Sequence, residues 1–294
     1  MFAPLTIPDR PAPDRPAPDK LAPGKPAAAK NPGPVQSASG RGLPSPPATA
    51  SPAIALLRER IARIERSHAR GTPEPSLPLG IAAIDAMLPT GGIRLGALHE
   101  AASAGPDTEH AAAATLFIAG ILARLGGPVL WVLRQADLFA PGLAGAGLHP
   151  HRVVFAEAGK QVLPVMEEGL RHAGLAAVVA EHTGRLSLVA SRRLQLAAEQ
   201  TGILAILIRR SLSFDDPVLN EPTAAVTRWR VAALPSPPAL PHAPDTPGLG
   251  RARWRVELTR CRGGEAGSWV LEACDATGRL GLVPDVSDRS AKVA

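Results

Sequence analysis

The sequence has few cysteines and no long uncharged apolar run. Cys261 and Cys274 are the two cysteines among 294 residues. They are too few for a disulfide framework and too far apart for the close pairs of a zinc site. No stretch of about 18 uncharged apolar residues occurs, and residues 1–30 are interrupted by Pro, Asp and Lys where a signal peptide needs an apolar core. We therefore expect a protein of the reducing cytoplasm that is neither secreted nor embedded in a membrane.

Proline is frequent and unevenly distributed. There are 32 prolines, well above the usual share of about 5% of residues, and they concentrate before residue 52 and near residues 235–247. Residues 8–20 repeat a five-residue unit that starts with Pro-Asp. Such a composition buries too little apolar surface to offset the entropy lost on ordering. We expect a disordered Pro/Ala-rich tail over residues 1–50 and a Pro-rich loop over residues 234–250.

An amphipathic helix is predicted after the tail. Ser51 can cap free backbone N–H groups, and Pro52 is tolerated at the first helical position. Apolar residues follow at spacings of three and four and so share one face: Ile54, Leu57, Ile61 and Ile64. We predict an N-terminal helix within residues 51–70, and its apolar stripe, between residues 53 and 68, needs a partner surface in this chain or on another protein.

From Ser76 onwards, short apolar runs alternate with helical segments, the pattern of a parallel sheet covered by helices. We predict strands over residues 97–101, 129–133, 153–156, 176–180 and 203–208, and helices over 110–125, 160–173 and 186–200. Three later segments alternate polar and apolar residues, as half-exposed antiparallel strands do: 227–233, 253–258 and 268–273. The expected fold is α/β, with a mostly parallel core over residues 76–233, C-terminal antiparallel strands over 251–284 and a tail over 285–294.

The start of this core resembles that of RecA-type proteins. Residues 76–85 and the Gly91-Gly92 turn are similar to the segment that leads, in that family, into a strand and its phosphate-binding loop. Here Leu98-His99-Glu100-Ala101 occupies the strand, and Gly105-Pro106 begins the loop. The resemblance implies a RecA-like core with a nucleotide pocket at this loop.

That phosphate-binding loop is altered at its functional positions. A working loop reads G-x-x-x-x-G-K-[ST], because the second Gly allows close backbone approach, Lys neutralises phosphate and the hydroxyl binds magnesium. The loop begins with Gly105, but His110, Ala111 and Ala112 stand where that pattern has Gly, Lys and Ser or Thr. Two acidic residues inside the loop would also repel a triphosphate. We predict a degenerate pocket that does not bind ATP productively, with no cofactor and no metal.

Two further positions point to lost catalysis. The resemblance places Gln135 where RecA proteins carry the glutamate that activates water, and an amide cannot accept that proton. Glu181 ends a predicted strand near the position of the family's magnesium-linked aspartate. It is either a retained ligand or, as we favour, a solvated strand end. We therefore expect no catalytic residue and no enzymatic activity.

The segments that bind DNA in recombinases are shortened here. Residues 183–185 alone stand where the first DNA loop would be, and residues 209–221, at the second, include three acidic side chains. The formal net charge of +6 permits contact with nucleic acid or an acidic partner. Candidate DNA-binding residues are Arg192, Arg193, Arg209 and Arg210, although such arginines also occur on ordinary solvated surfaces. We expect any DNA contact to be indirect.

Several segments are similar to the ImuA family of degenerate RecA homologues from bacterial inducible mutagenesis cassettes. Their order and spacing carry the resemblance: residues 131–134, 137–143, 147–154, 227–232, 254–258 and 267–272. It implies a non-catalytic accessory factor of damage-inducible (SOS) error-prone translesion synthesis. The implied partners are ImuB, a catalytically inactive Y-family homologue, and an error-prone C-family polymerase. RecA, or a second copy of the chain, is a further expected partner of helix 53–68, and the expected location is cytoplasmic, at the nucleoid when DNA is damaged.

The resemblance also indicates where the partner binds. The C-terminal region of the family is implicated in holding ImuB, and residues 253–283 match that region. Candidate partner-binding residues are therefore Arg253, Trp254, Arg255 and Trp269. Two alternatives stay open: a SulA-like inhibitor of cell division that binds FtsZ, and an ATP-dependent RecA-like recombinase with an unusual phosphate loop, against which Ala111 argues.

Overall fold

The computed structural model describes residues 74–240 and 242–283. The tail over residues 1–50, the helix predicted within residues 51–70 and the tail over residues 285–294 lie outside the described residues. The described part opens with a small antiparallel pair, β1 (Ser76–Leu77) and β2 (Ile93–Arg94). Between them lies the short helix α1 (Ala82–Asp85), whose Asp85 carboxylate accepts hydrogen bonds from the N–H groups of Leu79 and Gly80. This pair leads directly into the central sheet.

The central sheet has nine strands in the order β11-β10-β9-β8-β3-β7-β6-β4-β5. In chain order they are β3 (Leu98–Ser103), β4 (Val129–Leu133), β5 (Val153–Glu157), β6 (Ala177–Thr183), β7 (Leu204–Arg210), β8 (Thr227–Leu234), β9 (Arg253–Cys261), β10 (Gly267–Glu272) and β11 (Gly281–Leu282). Pairing is parallel from β8 through β3 to β5 and antiparallel from β8 outward to β11. Every predicted strand is present, so the mostly parallel sheet with antiparallel strands at the C-terminal side is confirmed.

Strand β8 differs from its prediction as a half-exposed antiparallel strand. It runs parallel to β3 and antiparallel to β9, and most of its residues are buried. Its register with β3 brings Arg228 opposite Glu100. The guanidinium of Arg228 donates to that buried carboxylate at 2.8 Å. The alternation of charged and apolar residues thus marks a buried ion pair and not a solvated face.

In the part of the chain that the structure describes, four α-helices complete the core: α2 (Asp107–Ala123), α3 (Ala140–Gly145), α4 (Val162–Gly169) and α5 (Leu188–Thr201). Helix α2 covers one face of β3 and β8, where the rings of Phe117 and Trp229 lie 5.8 Å apart. Helices α4 and α5 cover the other face over the parallel strands. Helix α5 begins with a Ser187 side-chain cap and ends at Gly202, whose positive φ of 76° suits glycine. Helix α3 was not predicted, because it is short and contains Pro and Gly.

The segment between β8 and β9 is a Pro-rich surface loop. A single bridge between Pro238 and Leu249 closes it, and Gly250 N–H donates to the carbonyl of Pro237 at 2.8 Å. Among the described residues, no helix is both long and apolar enough to span a bilayer.

Candidate functional site

The first turn of helix α2 occupies the position of the phosphate-binding loop. Of the expected loop, only Gly105 and Pro106 precede the helix. The helix begins at Asp107 and not near residue 110 as predicted. Asp107 N–H donates to the carbonyl of Ser211 at 2.9 Å, and the N–H groups of Glu109 and His110 donate to the carbonyl of Pro106 at 3.0 and 3.2 Å. A phosphate cradle needs such N–H groups free and directed at the ligand. This backbone therefore has the wrong shape for a phosphate-binding loop.

Asp107 fixes this altered turn to the neighbouring strands. One carboxylate oxygen accepts from the Ser103 hydroxyl at 2.5 Å, and the other accepts from Ser211 N–H at 2.8 Å. Ser103 ends β3 and Ser211 follows β7. The carboxylate thus joins the ends of two adjacent parallel strands, and its negative charge lies at the positive end of the helix dipole, where a phosphate would otherwise be stabilised.

His110 fills the space between this turn and strand β8. A Cβ placed on Gly105 would lie 2.8 Å from the His110 ring, so the glycine lets this ring pack closely against the turn. The His110 Nδ1 atom accepts from Ala233 N–H at 3.2 Å. Gly105 and His110 therefore have structural contacts with each other and with β8, and neither lines the cavity described next.

A cavity of about 720 Å³ opens at the carboxyl end of the parallel strands. It brings together four of the six residues predicted for the degenerate nucleotide pocket: Ala111, Ala112, Gln135 and Glu181. The rest of its wall comes from helix α2, the segment after β4, and the ends of β6 and β7: Asp107, Thr115, Leu116, Arg134, Asp137, Leu138, Phe139, Gly142, Leu143, Thr183, Arg210, Ser211 and Leu212. Nine of the 17 lining residues are polar or charged, but most of the surface that lines the cavity is apolar, so the cavity suits apolar groups better than a triphosphate.

Glu181 holds a buried ion pair at the floor of this cavity. The prediction of a solvated strand end is wrong, because Glu181 is only 7% exposed. One oxygen accepts from the Trp131 indole N–H at 3.0 Å and the other accepts from Arg210 Nε at 2.9 Å. Arg210 also donates to the Thr115 hydroxyl at 2.8 Å. The carboxylate is thus neutralised by an arginine where a magnesium site would need it free.

Gln135 lies at the mouth of the cavity, immediately after β4. Its amide nitrogen donates to an Asp137 carboxylate oxygen at 3.1 Å, and its side chain is exposed to solvent. Asp137 follows the strand by four residues and also lines the cavity. The absence of catalysis at Gln135 stays a prediction.

Two of the four candidate DNA-binding arginines, Arg209 and Arg210, lie on strand β7 and form ion pairs. Arg209 is 2% exposed, and its guanidinium lies 3.8 Å from Glu100 and donates to the Gly184 carbonyl at 2.8 Å. Arg210 is held by Glu181. The prediction that Arg209 contacts DNA is wrong, because strand β7 lies between β3 and β6 and its Arg209 side chain is buried beside Glu100. Arg210 is half-buried in its ion pair and lines the cavity, and its contact with DNA stays a prediction.

The two arginines of helix α5 are exposed as expected. Arg193 pairs with Glu167 at 2.7 Å, whereas Arg192 has no salt bridge within the described residues. The loop after β6 is as short as predicted, since α5 begins at Leu188, only five residues after β6 ends. Direct DNA contact at this helix stays a prediction.

Burial changes the ionisation of the groups around Arg209. Burial lowers the pKa of the Arg209 guanidinium, and the charge of Glu100 opposes that shift. Burial also lowers the pKa of His182, a hydrogen bond to the Arg185 carbonyl opposes it, and the charges of Arg209 and Arg134 lower it further. A pKa below its usual value of 6.5 favours the neutral form of His182 at pH 7.

The four candidate partner-binding residues divide between the two faces of the C-terminal strands. Trp254 is 3% exposed and packs in the core with the face covered by α2, so it cannot offer its ring to a partner and that prediction is wrong. Trp269 lies on the same face as Val256 and is half-buried. Arg255 is exposed and Arg253 is half-buried on the opposite face, which no helix of the described residues covers. Their role in binding stays a prediction.

Sequence reasoning missed the apolar rim of the cavity, which Phe139 and Leu212 form, and the exposed Phe214 two residues after Leu212. Phe139, Leu212 and Phe214 are 73%, 77% and 80% exposed, although all three are large hydrophobic side chains. Phe139 precedes α3, and the other two follow β7, so they lie in segments without a helical or strand period. Their only signal in the sequence was the occurrence of large apolar residues among Ser, Asp, Pro and Gly.

Comparisons with known proteins identify relatives in sequence and a structure with a similar fold. No protein-family model matches the chain. Protein ImuA of Caulobacter vibrioides, strain NA1000 / CB15N, is 42% identical over 215 residues, which span 70% of this chain and 86% of that protein. Protein ImuA of strain ATCC 19089 / CB 15 gives the same values. The crystal structure of the RadB recombinase matches with a TM-score of 0.50 and 18% identity, over 71% of this chain and 100% of that chain. The last match confirms the RecA-like fold.

Proposed function

This chain belongs to the ImuA family, and from that membership we propose that it is a non-catalytic accessory protein of damage-inducible, error-prone translesion DNA synthesis. The main support for the absence of catalysis is the helical first turn at Asp107, which fills the position of the phosphate-binding loop. The paired Glu181 supports the same view, because a carboxylate neutralised by Arg210 has little affinity left for magnesium. The RecA-like core then serves as a scaffold for assembly.

The proposed partners are an ImuB-type Y-family homologue and an error-prone C-family polymerase. Their proposed site is the face of β8, β9 and β10 that carries Arg230, Arg255 and Val270. Residues opposite one another in these antiparallel pairs share a face, and Arg255 pairs with Val270 in register. Arg255 is exposed, but Glu257 and Glu272 lie opposite Arg230 and Arg253 on the same face. The face therefore carries charges of both signs and suits a partner surface with the complementary pattern of charges. Contact with DNA is then made through the polymerase, in the cytoplasm at damaged DNA.

Point variants test this site better than deletion of residues 253–294. Deletion would remove β9, β10 and β11 together with core residues such as Trp254 and Leu271, so loss of binding would follow from unfolding alone. Arg255→Glu leaves the core intact, because Arg255 is exposed. We expect Arg255→Glu to lose co-purification with the ImuB-type partner and Arg192→Glu on α5 to keep it. Equal binding by both variants would move the interface elsewhere, and capture of FtsZ in the same assay would favour the SulA-like alternative.

The absence of ATP hydrolysis is tested separately. Purified protein should release no phosphate from ATP above a buffer control, with or without single-stranded DNA. Hydrolysis by the purified chain that disappears in Gln135→Ala would contradict the proposal. Gln135 is exposed, so this variant tests chemistry and not folding.

A further inference from the structure

We propose that the cavity at the carboxyl end of the parallel strands, together with its exposed apolar rim, is a docking site for a basic peptide segment of another protein. The segment inserts bulky apolar side chains between helix α2 and the chain that follows β4. This surface uses other residues than the face of β8, β9 and β10 proposed above for the ImuB-type partner. Three features of the described chain support it: the shape of the cavity, the exposure of its rim and the charges around it.

The cavity is open to solvent, and most of its inner surface is apolar. Apolar residues from helix α2 and from the segment after β4 form much of this surface: Ala111, Ala112, Leu116, Leu138 and Leu143. The volume of about 720 Å³ lies within the range of about 300–1,000 Å³ of ligand pockets. Because Ala111 and Ala112 have short side chains, bulky apolar groups of a partner have room to enter.

The exposed apolar surface extends beyond the cavity. Phe139 and Leu212 line the cavity as its rim and are 73% and 77% exposed. Phe214 follows Leu212 by two residues, does not line the cavity and is 80% exposed. Exposed apolar surface of this kind marks an interaction site. A small molecule inside the cavity would leave Phe214 in water, whereas a peptide that crosses the rim can cover it.

The charged residues that line the cavity are nearly balanced. Glu181 and Arg210 neutralise each other at the floor, 2.9 Å apart. Asp107 and Asp137 also line the cavity, and neither forms a salt bridge within the described residues. Arg134 is the remaining cation of the lining, and its guanidinium donates to the Thr183 hydroxyl at 2.8 Å. The lining itself therefore carries one excess negative charge.

The segments around the cavity add further negative charge. Residues 107–109, 134–139 and 211–216 each supply lining residues. Together these segments contain five acidic residues and one arginine: Asp107, Glu109, Asp137, Asp215, Asp216 and Arg134. This surface is thus acidic although the whole chain has a net charge of +6. Such a surface attracts lysine and arginine and repels phosphate backbones, so a basic peptide fits it better than DNA.

The test is a selection of short random peptides, displayed on phage, on the immobilised full-length protein. Phages that bind the rim variant, Phe139→Asp with Leu212→Asp, are removed first. The peptides that then bind wild type should contain bulky apolar residues together with lysine or arginine. Fluorescence anisotropy with the synthetic peptides should show an affinity for the rim variant at least about tenfold lower than for wild type. The affinity for wild type should also fall as the salt concentration rises.

Further variants show which surface the peptide covers. Phe214→Asp should weaken binding by at least about threefold, because it removes an apolar contact outside the cavity. Asp137→Lys should weaken binding by a similar factor, because it reverses a charge that attracts the peptide. Leu249→Asp and Asp245→Lys make the same two kinds of change on exposed residues of the Pro-rich loop and should bind like wild type.

A folding defect is distinguished from lost docking. The rim variant should keep the circular dichroism and thermal unfolding of wild type, because both of its residues are exposed. Phe139→Gln with Leu212→Gln repeats the comparison without adding charge. It should also bind the selected peptides less tightly than wild type.

Several outcomes would overturn the proposal. One is the absence of peptides that distinguish wild type from the rim variant, and another is a selected set that is mainly acidic. Peptides whose affinity is unchanged by Phe214→Asp would mean that the occupant stays inside the cavity. Binding of oligothymidylate, or self-association of the chain, that the rim variant loses while no peptide binds would assign the surface to a different occupant. The assays contain no ImuB-type partner, so this proposal and the proposed function fail separately.

Discussion

The indole nitrogen of Trp131 donates a hydrogen bond to Glu181 across 3.0 Å, between the neighbouring strands β4 and β6. The second oxygen of the same carboxylate accepts from Arg210. Three strands of the parallel sheet are thus joined by one acidic side chain. A position that resembles a metal-linked carboxylate in RecA proteins has become part of the core.

Glu181→Ala should destabilise the protein by about 3–5 kcal/mol, because it leaves Arg210 buried without its partner. The double variant Glu181→Leu with Arg210→Met should recover much of that loss, since it removes both charges. The measurement is urea unfolding at neutral pH. Glu168→Gln is the matched control, because its pair with Arg171 is exposed and should contribute about 0–1 kcal/mol. Equal losses of unfolding free energy in Glu181→Ala and Glu168→Gln would show that the buried ion pair stabilises the protein no more than the exposed pair does.

Restoring the motif residues should not restore nucleotide binding. In His110→Gly with Ala111→Lys and Ala112→Thr, the first turn of α2 still engages its N–H groups, and Asp107 and Glu109 still repel phosphate. Titration with a fluorescent ATP analogue should show no saturable binding. The variant that keeps His110 is the control, because His110 accepts from Ala233 N–H. Micromolar binding by either variant would mean that the turn rearranges around a ligand.

His99 should make stability depend on pH between about 6.5 and 4. Its Nε2 lies 2.8 Å from the Arg94 carbonyl and must donate to it, so Nδ1 accepts from the Thr227 hydroxyl at 2.7 Å and the ring is neutral. Burial lowers the pKa of His99 to about 4. The unfolded chain therefore takes up the proton first as the pH falls, and up to about 3 kcal/mol of stability is lost from pH 6.5 down to the folded pKa.

His99→Gln is the comparison for this pH effect. The glutamine amide can still donate to the Arg94 carbonyl but does not titrate. We expect the variant to be less stable at pH 7 and to have a shallower loss of unfolding free energy on acidification than wild type. Parallel pH profiles of the two proteins would show that other groups, such as His182, account for the acid sensitivity.

Gly120→Ala should be strongly destabilising. The new Cβ would overlap the Cys274 sulfur and lie 2.9 Å from its Cβ, because α2 packs closely on the segment after β10. Overpacking of this kind costs about 1–3 kcal/mol or more. Adding Cys274→Ala should recover part of the loss, since it removes the sulfur. Gly126→Ala, with open space at its Cβ, is the control and should change the melting temperature little.

The sequence predicted the parallel sheet because its strands are short, nearly uninterrupted apolar runs bounded by turn residues. The start of α2 at Asp107 was not predicted, because Gly105-Pro106 is typical of the beginning of a longer loop. The acidic residues of that turn were in fact the available signal, since Asp and Glu are favoured in the first turn of a helix. In a loop, Asp107 and Glu109 would only repel phosphate, and that interpretation gave no sign of a helix.

The buried ion pairs could not be predicted from spacing along the chain. Glu100 and Arg228 are 128 residues apart and meet only because β3 and β8 are parallel neighbours in one register. Glu181 and Arg210 meet diagonally across the parallel strands β6 and β7, where Glu181 lies opposite Ile208. Without the strand order, each of these residues looks like an exposed charge. The apolar rim was missed for a related reason, because Phe139 and Leu212 come together only when β4 and β7 end at one edge.

The position of β3 at the centre of the sheet affects how the protein is made. Its two neighbours, β7 and β8, are both synthesised long after it, and Thr227 follows His99 by 128 residues. At about 5–20 residues per second, a ribosome needs roughly 6–25 s to make that interval. Both backbone edges of β3 are unpaired until β7 is made, and the edge that β8 will cover stays unpaired for the whole interval. The speed of translation therefore sets how long the nascent chain is open to chaperones and to misassembly.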